Sequence, residues 1–411
     1  MSERKKYPEI RYGQFTDAWE QLKLGDLASS LEYGLNAAAK DFDGVNKYLR
    51  ITDIDENSRE FVKDGLTSPD IELDKADNYL LSKGDILFAR TGASVGKTYK
   101  YRETDGKVYY AGFLIRAHIN ENNDSEFVYQ KTLTDAYDNF IKITSQRSGQ
   151  PGVNAQEYAS FKLAVPSKYE QVKIGDFFKE IDELITLQQR KYEKTVNMKN
   201  ALLEKMFPKN GEDKPEIRFE EFSYNWERRN LSDIVAITGG GTPSTVIEEY
   251  WNGDIDWYSP TEIGSEVYAT GSAKKITEQG LAKSSAKILP ANRTILFTSR
   301  AGIGDMAILA KDGATNQGFQ SLVLDEKTNV YFLYSMGYKI KKYALKNASG
   351  STFLEISGKS LGRMEVFIPT LEEQNKIGAF FKELDQLISL QQQELEKLKN
   401  IKKALLQKML V

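Results

Sequence analysis

Residues 173–207 read KIGDFFKEIDELITLQQRKYEKTVNMKNALLEKMF, and residues 376–410 read KIGAFFKELDQLISLQQQELEKLKNIKKALLQKML. Laid over one another at an offset of 203, they agree at 22 of 35 positions. In both copies the seam residues fall three and four apart. The first runs Ile174, Phe178, Ile181, Ile185, Gln188, Tyr192, Thr195, Lys199, Leu202, Met206. The second runs Ile377, Phe381, Leu384, Ile388, Gln391, Leu395, Leu398, Lys402, Leu405, Met409. Such a spacing turns one face of a long helix toward a partner helix, the seam of a coiled coil. Gln188 and Gln391 share one register position, where a polar residue fixes register at some cost in stability.

The ends of these helices are also written twice. Ser167 with Glu170, and Thr370 with Glu373, are spaced as capping boxes, with Pro166 and Pro369 just before them. Pro208 stops the first helix. Helices are therefore expected over 167–208 and 370–411, with a linker at 209–214. Each is about 60 Å long at 1.5 Å per residue. Because one chain supplies both, antiparallel pairing is the natural arrangement. It would set the two intervening regions at opposite ends of a rigid spacer, related by a pseudo-twofold axis.

Working outward, PEIRYGQFTDAW at 8–19 matches PEIRFEEFSYNW at 215–226, including Arg11 with Arg218 and Trp19 with Trp226. The tryptophans read as core anchors. Between the anchors the halves diverge, except for Ile86-Leu87-Phe88 before Gly96 and Ile295-Leu296-Phe297 before Gly304. A chain that preserves two segments and varies two others does one job twice and a related job on two different targets. The expected fold class is α+β. Two mixed globular domains, 1–166 and 215–369, would be separated by the helices in an internal repeat.

The variable regions carry basic clusters without acids. Arg90, Lys97, Lys100 and Arg102 lie in 86–102, interleaved with Tyr99 and Tyr101. Lys142, Arg147, Gln150 and Asn154 lie in 139–156. The second half has Lys283, Lys287, Arg293 and Arg300 in 279–304, and Lys339, Lys341, Lys342 and Lys346 in 327–354. Arginine, asparagine and glutamine read base edges, and lysine mostly holds phosphates. Two related heads on a ruler suit duplex DNA, whose half-sites lie about one turn apart. A scaffold joining two protein partners would explain the helices but not the duplicated clusters. An enzyme with an unfamiliar site would need titratable residues common to both halves, and none are evident.

Composition narrows the choice. The chain has 411 residues, 56 Lys plus Arg against 59 Asp plus Glu, no cysteine and one histidine, His118. Thiolate metal sites, thiol catalysis and a multi-histidine metal site within one chain are excluded. No apolar run approaches the ~20 residues of a membrane span, and the charged N-terminus is unlike a signal peptide. A cytoplasmic protein is expected. Gly92-Ala-Ser-Val-Gly96-Lys97 has three residues between its glycines where a P-loop needs four. A tight turn, presenting Lys97 to a DNA phosphate, is the better reading. His118, between Ala117 and Ile119, reads as a packed strand residue. Gly239-Gly240-Gly241 has no visible counterpart in the first half.

These features resemble the specificity subunit of type I restriction–modification systems, over the whole chain. Those that carry the resemblance are the paired PEIR segments, GDILFARTGASVGK at 84–97, SGQPGVNAQEYASFKLAVP at 148–166 and IPTLEEQNKIGAFFKELDQLISLQQQ at 368–393. The resemblance implies two target recognition domains, one for each half of a bipartite double-stranded DNA site. It implies two modification subunits that methylate adenine N6 with S-adenosylmethionine. It also implies restriction subunits for ATP-dependent translocation and cleavage, with Mg. This chain would hold none of these cofactors and no active site. The residues agree, since its ten prolines are never adjacent, so the [DNS]-P-P-[YFW] loop of amino-methyltransferases is missing. After Pro69-Asp70, no Asp/Glu-x-Lys follows within the next twenty residues, so the common nuclease metal motif is missing too.

Overall fold

Ile86-Leu87-Phe88 and Ile295-Leu296-Phe297 are too apolar for a strand with one wet face, and both are fully buried at the heart of a sheet. A computed structural model describes residues 7–146, 149–209, 211–350 and 354–410. Its contacts divide the chain into two units, Met1–Arg190 with Gln392–Val411, and Lys191–Gln391. The long helices Lys168–Lys205 and Leu371–Met409 each give part of their length to each unit.

In the first unit, four strands form a sheet in the order Ala28–Tyr33, Leu114–Ile119, Asp85–Ala89, Thr98–Lys100, with every neighbour antiparallel. A separate antiparallel pair, Glu20–Lys23 with Lys162–Val165, ties the beginning of the domain to its end. Helices Ser125–Lys131 and Asp135–Thr144 contribute Phe127, Tyr137 and Ile141 to the core beside Trp19. A parallel pair, Lys47–Leu49 with Val108–Tyr110, extends the domain.

The second unit repeats this plan with different residues. Its sheet runs Val235–Gly239, Gln320–Leu324, Thr294–Phe297, Met306–Leu309, and adds Tyr268–Ala269 in parallel at the edge. Glu227–Asn230 pairs with Glu365–Ile368, closing the domain as in the first unit. Helices Val330–Ser335 and Gly337–Asn347 pack on the sheet around Trp226 and Phe332. Both tryptophans are core residues.

The seam positions are sorted as the spacing demands. Ile174, Phe178, Ile377, Phe381, Leu384 and Leu395 are buried, and Ile181, Ile185, Gln188, Ile388, Gln391 and Leu398 are half-buried. Within the first unit, Lys402 Nζ donates to Asp182 Oδ1 at 2.6 Å, and Gln188 Nε2 donates to Glu394 Oε2 at 2.8 Å. Later residues of one helix meet earlier residues of the other, so the segments run antiparallel. Within the second unit, Lys199 meets Asp385, and the Phe207 ring stacks on Phe381 with centroids 5.9 Å apart. The seam lysines are thus not apolar knobs but one side of charged ties.

The capping glutamates do something else. Arg11 Nε and Nη2 donate to the two oxygens of Glu170 at 2.7 and 2.8 Å, and Arg218 grips Glu373 with both bonds at 2.7 Å. Thr370 Oγ1 still accepts the Glu373 N–H at 3.4 Å, but the carboxylates are occupied by arginine. This explains why PEIR is written twice: each copy fastens its arginine to the start of a long helix. The glycines at 175 and 378 have a similar cause. A Cβ on Gly175 would lie 2.4 Å from Asp124 Oδ1, and one on Gly378 would lie 2.4 Å from Asn329 Oδ1. Asp124 and Asn329 each cap a following helix by accepting an N–H from Phe127 or Phe332.

The triple glycine has a counterpart after all. Gly34 and Gly240 both follow the first strand of the sheet, and a Cβ on either would strike a backbone carbonyl at 2.2 or 2.1 Å. His118 lies on its strand but is only partly covered, with Nδ1 2.6 Å from the buried carboxylate of Asp85.

Candidate nucleic-acid interface

The chain leaves the central strand of the first sheet at Arg90 and turns at once. Gly92, at φ +75°, opens this turn and Gly96, at φ +87°, closes it. The 92–97 stretch is therefore the tight turn expected. Its lysine does not face out: Lys97 is buried, donates to the Ile54 carbonyl at 3.2 Å and pairs with Glu56. That corrects the assignment of Lys97 to a phosphate, because a buried amine tied inside its own domain cannot track a DNA backbone.

The other candidates divide in the same way. Lys100 pairs with Glu126 at 3.1 Å, and Arg102 with Glu60 at 2.5 Å. Lys341 pairs with Asp305 at 2.8 Å, and Arg300 stands 3.9 Å from Glu355. Lys339 is turned inward onto the Pro208 carbonyl, and burial lowers its pKa; as with Lys97, its place corrects the expectation of a phosphate contact. Asn154 caps the helix Ala155–Ala159, accepting the Glu157 N–H at 2.9 Å. Lys142, Gln150, Lys283, Lys287, Lys342 and Lys346 are exposed. Arg147 lies outside the described residues.

Backbone bonds bring distant stretches together at one end of the first sheet. The Arg90 N–H donates to the Phe113 carbonyl at 3.0 Å, and the Val153 N–H donates to the Arg90 carbonyl at 2.9 Å. The Gly92 N–H donates to the Pro151 carbonyl at 3.0 Å. The Tyr33 hydroxyl accepts the Ala155 N–H at 3.2 Å. Arg90 therefore shares this end with Gln150 and Asn154, which lie more than fifty residues further along the chain. Tyr33, Asn36, Thr52 and Phe113 join them and were not singled out from sequence. Phe113 sits in YYAGFLIRAHI and reads as a strand residue, yet it falls in the turn before the strand and stands exposed.

The second unit builds the same end from other side chains. The Ser299 N–H donates to the Gly318 carbonyl at 2.8 Å, and the Ile356 N–H donates to the Ser299 carbonyl at 3.0 Å. The Gly241 N–H reaches the Thr315 carbonyl at 2.9 Å, and Thr242 bonds to Gln317. Among the described residues, no three His, Cys, Asp or Glu side chains converge as a metal site. None of the described helices is long and apolar enough to cross a membrane.

The family profile described as the type I restriction modification DNA specificity domain matches residues 16–197 and again 224–400. The chain belongs to this family. The type I restriction enzyme MjaIX specificity subunit of Methanocaldococcus jannaschii is 38% identical over 181 residues, which is 43% of this chain and 42% of that protein. A second relative from the same organism, the putative MjaX specificity subunit, is 23% identical over 97% of this chain and 94% of its own length. Among solved structures, the type I restriction–modification S subunit from M. genitalium aligns over 98% of this chain and 99% of its own. The TM-score is 0.64 at 15% identity, a likeness of fold. The family profile thus falls on both halves, as the duplicated sheets do.

Proposed function

We propose that this chain is the non-catalytic DNA-recognition and assembly subunit of a type I restriction–modification complex. The loop end of the first sheet reads one half of a bipartite site, and the matching end of the second sheet reads the other. The paired helices fix the gap between the half-sites. They also present exposed leucines outside the seam, Leu184 with Leu187 and Leu387 with Leu390, as a surface for modification subunits. Those partners carry the S-adenosylmethionine chemistry on adenine N6, and restriction subunits carry the ATP- and Mg-dependent work.

The observation that carries this reading is one backbone plan built twice, with the same arginine–glutamate fastening and different side chains at the same loop end. Such a duplication supports two readers of unlike sequence. With a net charge of −3, long-range attraction to DNA is weak, so tight binding draws on the partner subunits as well. The test is a chimera. Replacing residues 1–166 with another recognition domain is expected to change one half of the methylated site and leave the other half intact. A chimera that methylates the original site would overturn the assignment.

A further inference from the structure

The first unit has a cleft of about 610 Å³ at its loop end, whose walls include Tyr33, Asn36, Thr52, Arg90, Gly112 and Phe113, and among the described residues no carboxylate lines it. Lys97, Lys100 and Arg102 of the same basic cluster are each tied to an acid. Arg90 is not paired with any carboxylate among the described residues. It is nonetheless held. Its backbone is bonded on both sides, to Phe113 and Val153. Its guanidinium lies 4.9 Å from the centre of the Tyr33 ring, and Nη1 is 3.4 Å from the Gly112 carbonyl. The Tyr33 hydroxyl is in turn fixed by the Ala155 N–H.

A planar fork of donors, oriented before binding and left without an anion, is suited to a ligand that offers two acceptors side by side. Guanine presents O6 and N7 in that way in the major groove. Ordering the side chain in the free protein removes a cost that binding would otherwise meet.

We propose that Arg90 reads a guanine in the half-site taken by the first unit, with Tyr33 as its positioning residue. This rests on the DNA-recognition reading above. In the second unit the place defined by the same backbone bonds holds Ser299, which is fully buried, so this contact has no equivalent there.

The experiment uses the full chain with its modification partner, and maps methylated sites by modification-sensitive sequencing. Arg90→Lys keeps the charge and loses the fork. It is expected to relax a single G·C position in one half-site, lowering discrimination there by about 5- to 150-fold, while the other half-site stays unchanged. Tyr33→Leu should relax the same position, and Tyr33→Phe, which keeps the ring but loses the tie to Ala155, should relax it less. A uniform loss of methylation with an unchanged motif would mean a phosphate contact and overturn the proposal. If a variant complex assembles but methylates nothing, competition binding against sites altered one base pair at a time decides. Discrimination lost at one guanine supports the proposal, and discrimination unchanged overturns it. A wild-type complex with no bipartite motif would instead sink the recognition reading itself.

Discussion

Arg11 and Arg218 carry more of the fold than their place in short N-terminal stretches suggests. Each holds both oxygens of a glutamate that is only 1% exposed. The bond to Glu170 raises the Arg11 pKa, so the guanidinium stays charged. Removing the arginine strands a buried carboxylate, which destabilises by about 3–5 kcal/mol in comparable pairs. Arg11→Ala should lower the thermal midpoint in calorimetry, and Arg11→Ala with Glu170→Gln should recover part of it. Lys131 makes a second case. It is buried over the Trp19 ring, and burial pushes its pKa down to about 7. The matching position in the second unit is Met336, also buried. The unfolded chain holds the lysine proton up to about pH 10, and the folded chain only below about pH 7. The stability withheld by Lys131 is therefore regained as pH rises between them. Denaturant titrations of the wild-type chain should show stability rising between about pH 7 and pH 10, and Lys131→Met should flatten that rise. Residue types announced the basic clusters, but not which members were spoken for. Lys97 meets Glu56 and Arg102 meets Glu60, across separations that no local pattern encodes.

At the scale of elements, the helices were legible and the sheets were not. A three-four spacing marks a buried stripe directly, and the stripe residues are indeed the covered ones while Glu183 and Glu193 between them are exposed. Charged seam positions needed the structure, because Lys402 and Lys199 find their acids on the other helix. Charge reversal follows from this. Asp182→Lys alone should destabilise by about 1–3 kcal/mol, and Asp182→Lys with Lys402→Asp should regain much of it, as a double-mutant cycle would measure. The sheets escaped because their strands are short and dissimilar between halves. Only the two Ile-Leu-Phe runs, central and dry, survived as a common mark. The loop end was half visible: Arg90, Gln150 and Asn154 were named from composition, whereas Tyr33 and Phe113 became candidates only when backbone bonds brought 33, 90, 113 and 153 together.

At the scale of the molecule, the proposed ruler can be lengthened. One added heptad in each long helix keeps the seam in phase and adds about 10 Å, or roughly three base pairs. The unspecific gap of the methylated site should grow while both half-sites keep their sequences, and an unchanged gap would mean the helices do not measure DNA. The most direct test of the central claim is modification-sensitive long-read sequencing of host DNA with this gene intact and deleted. The expected result is a bipartite N6-methyladenine motif that vanishes on deletion and returns on complementation. A bipartite motif that persists unchanged without this chain would contradict its role as the reader of the site.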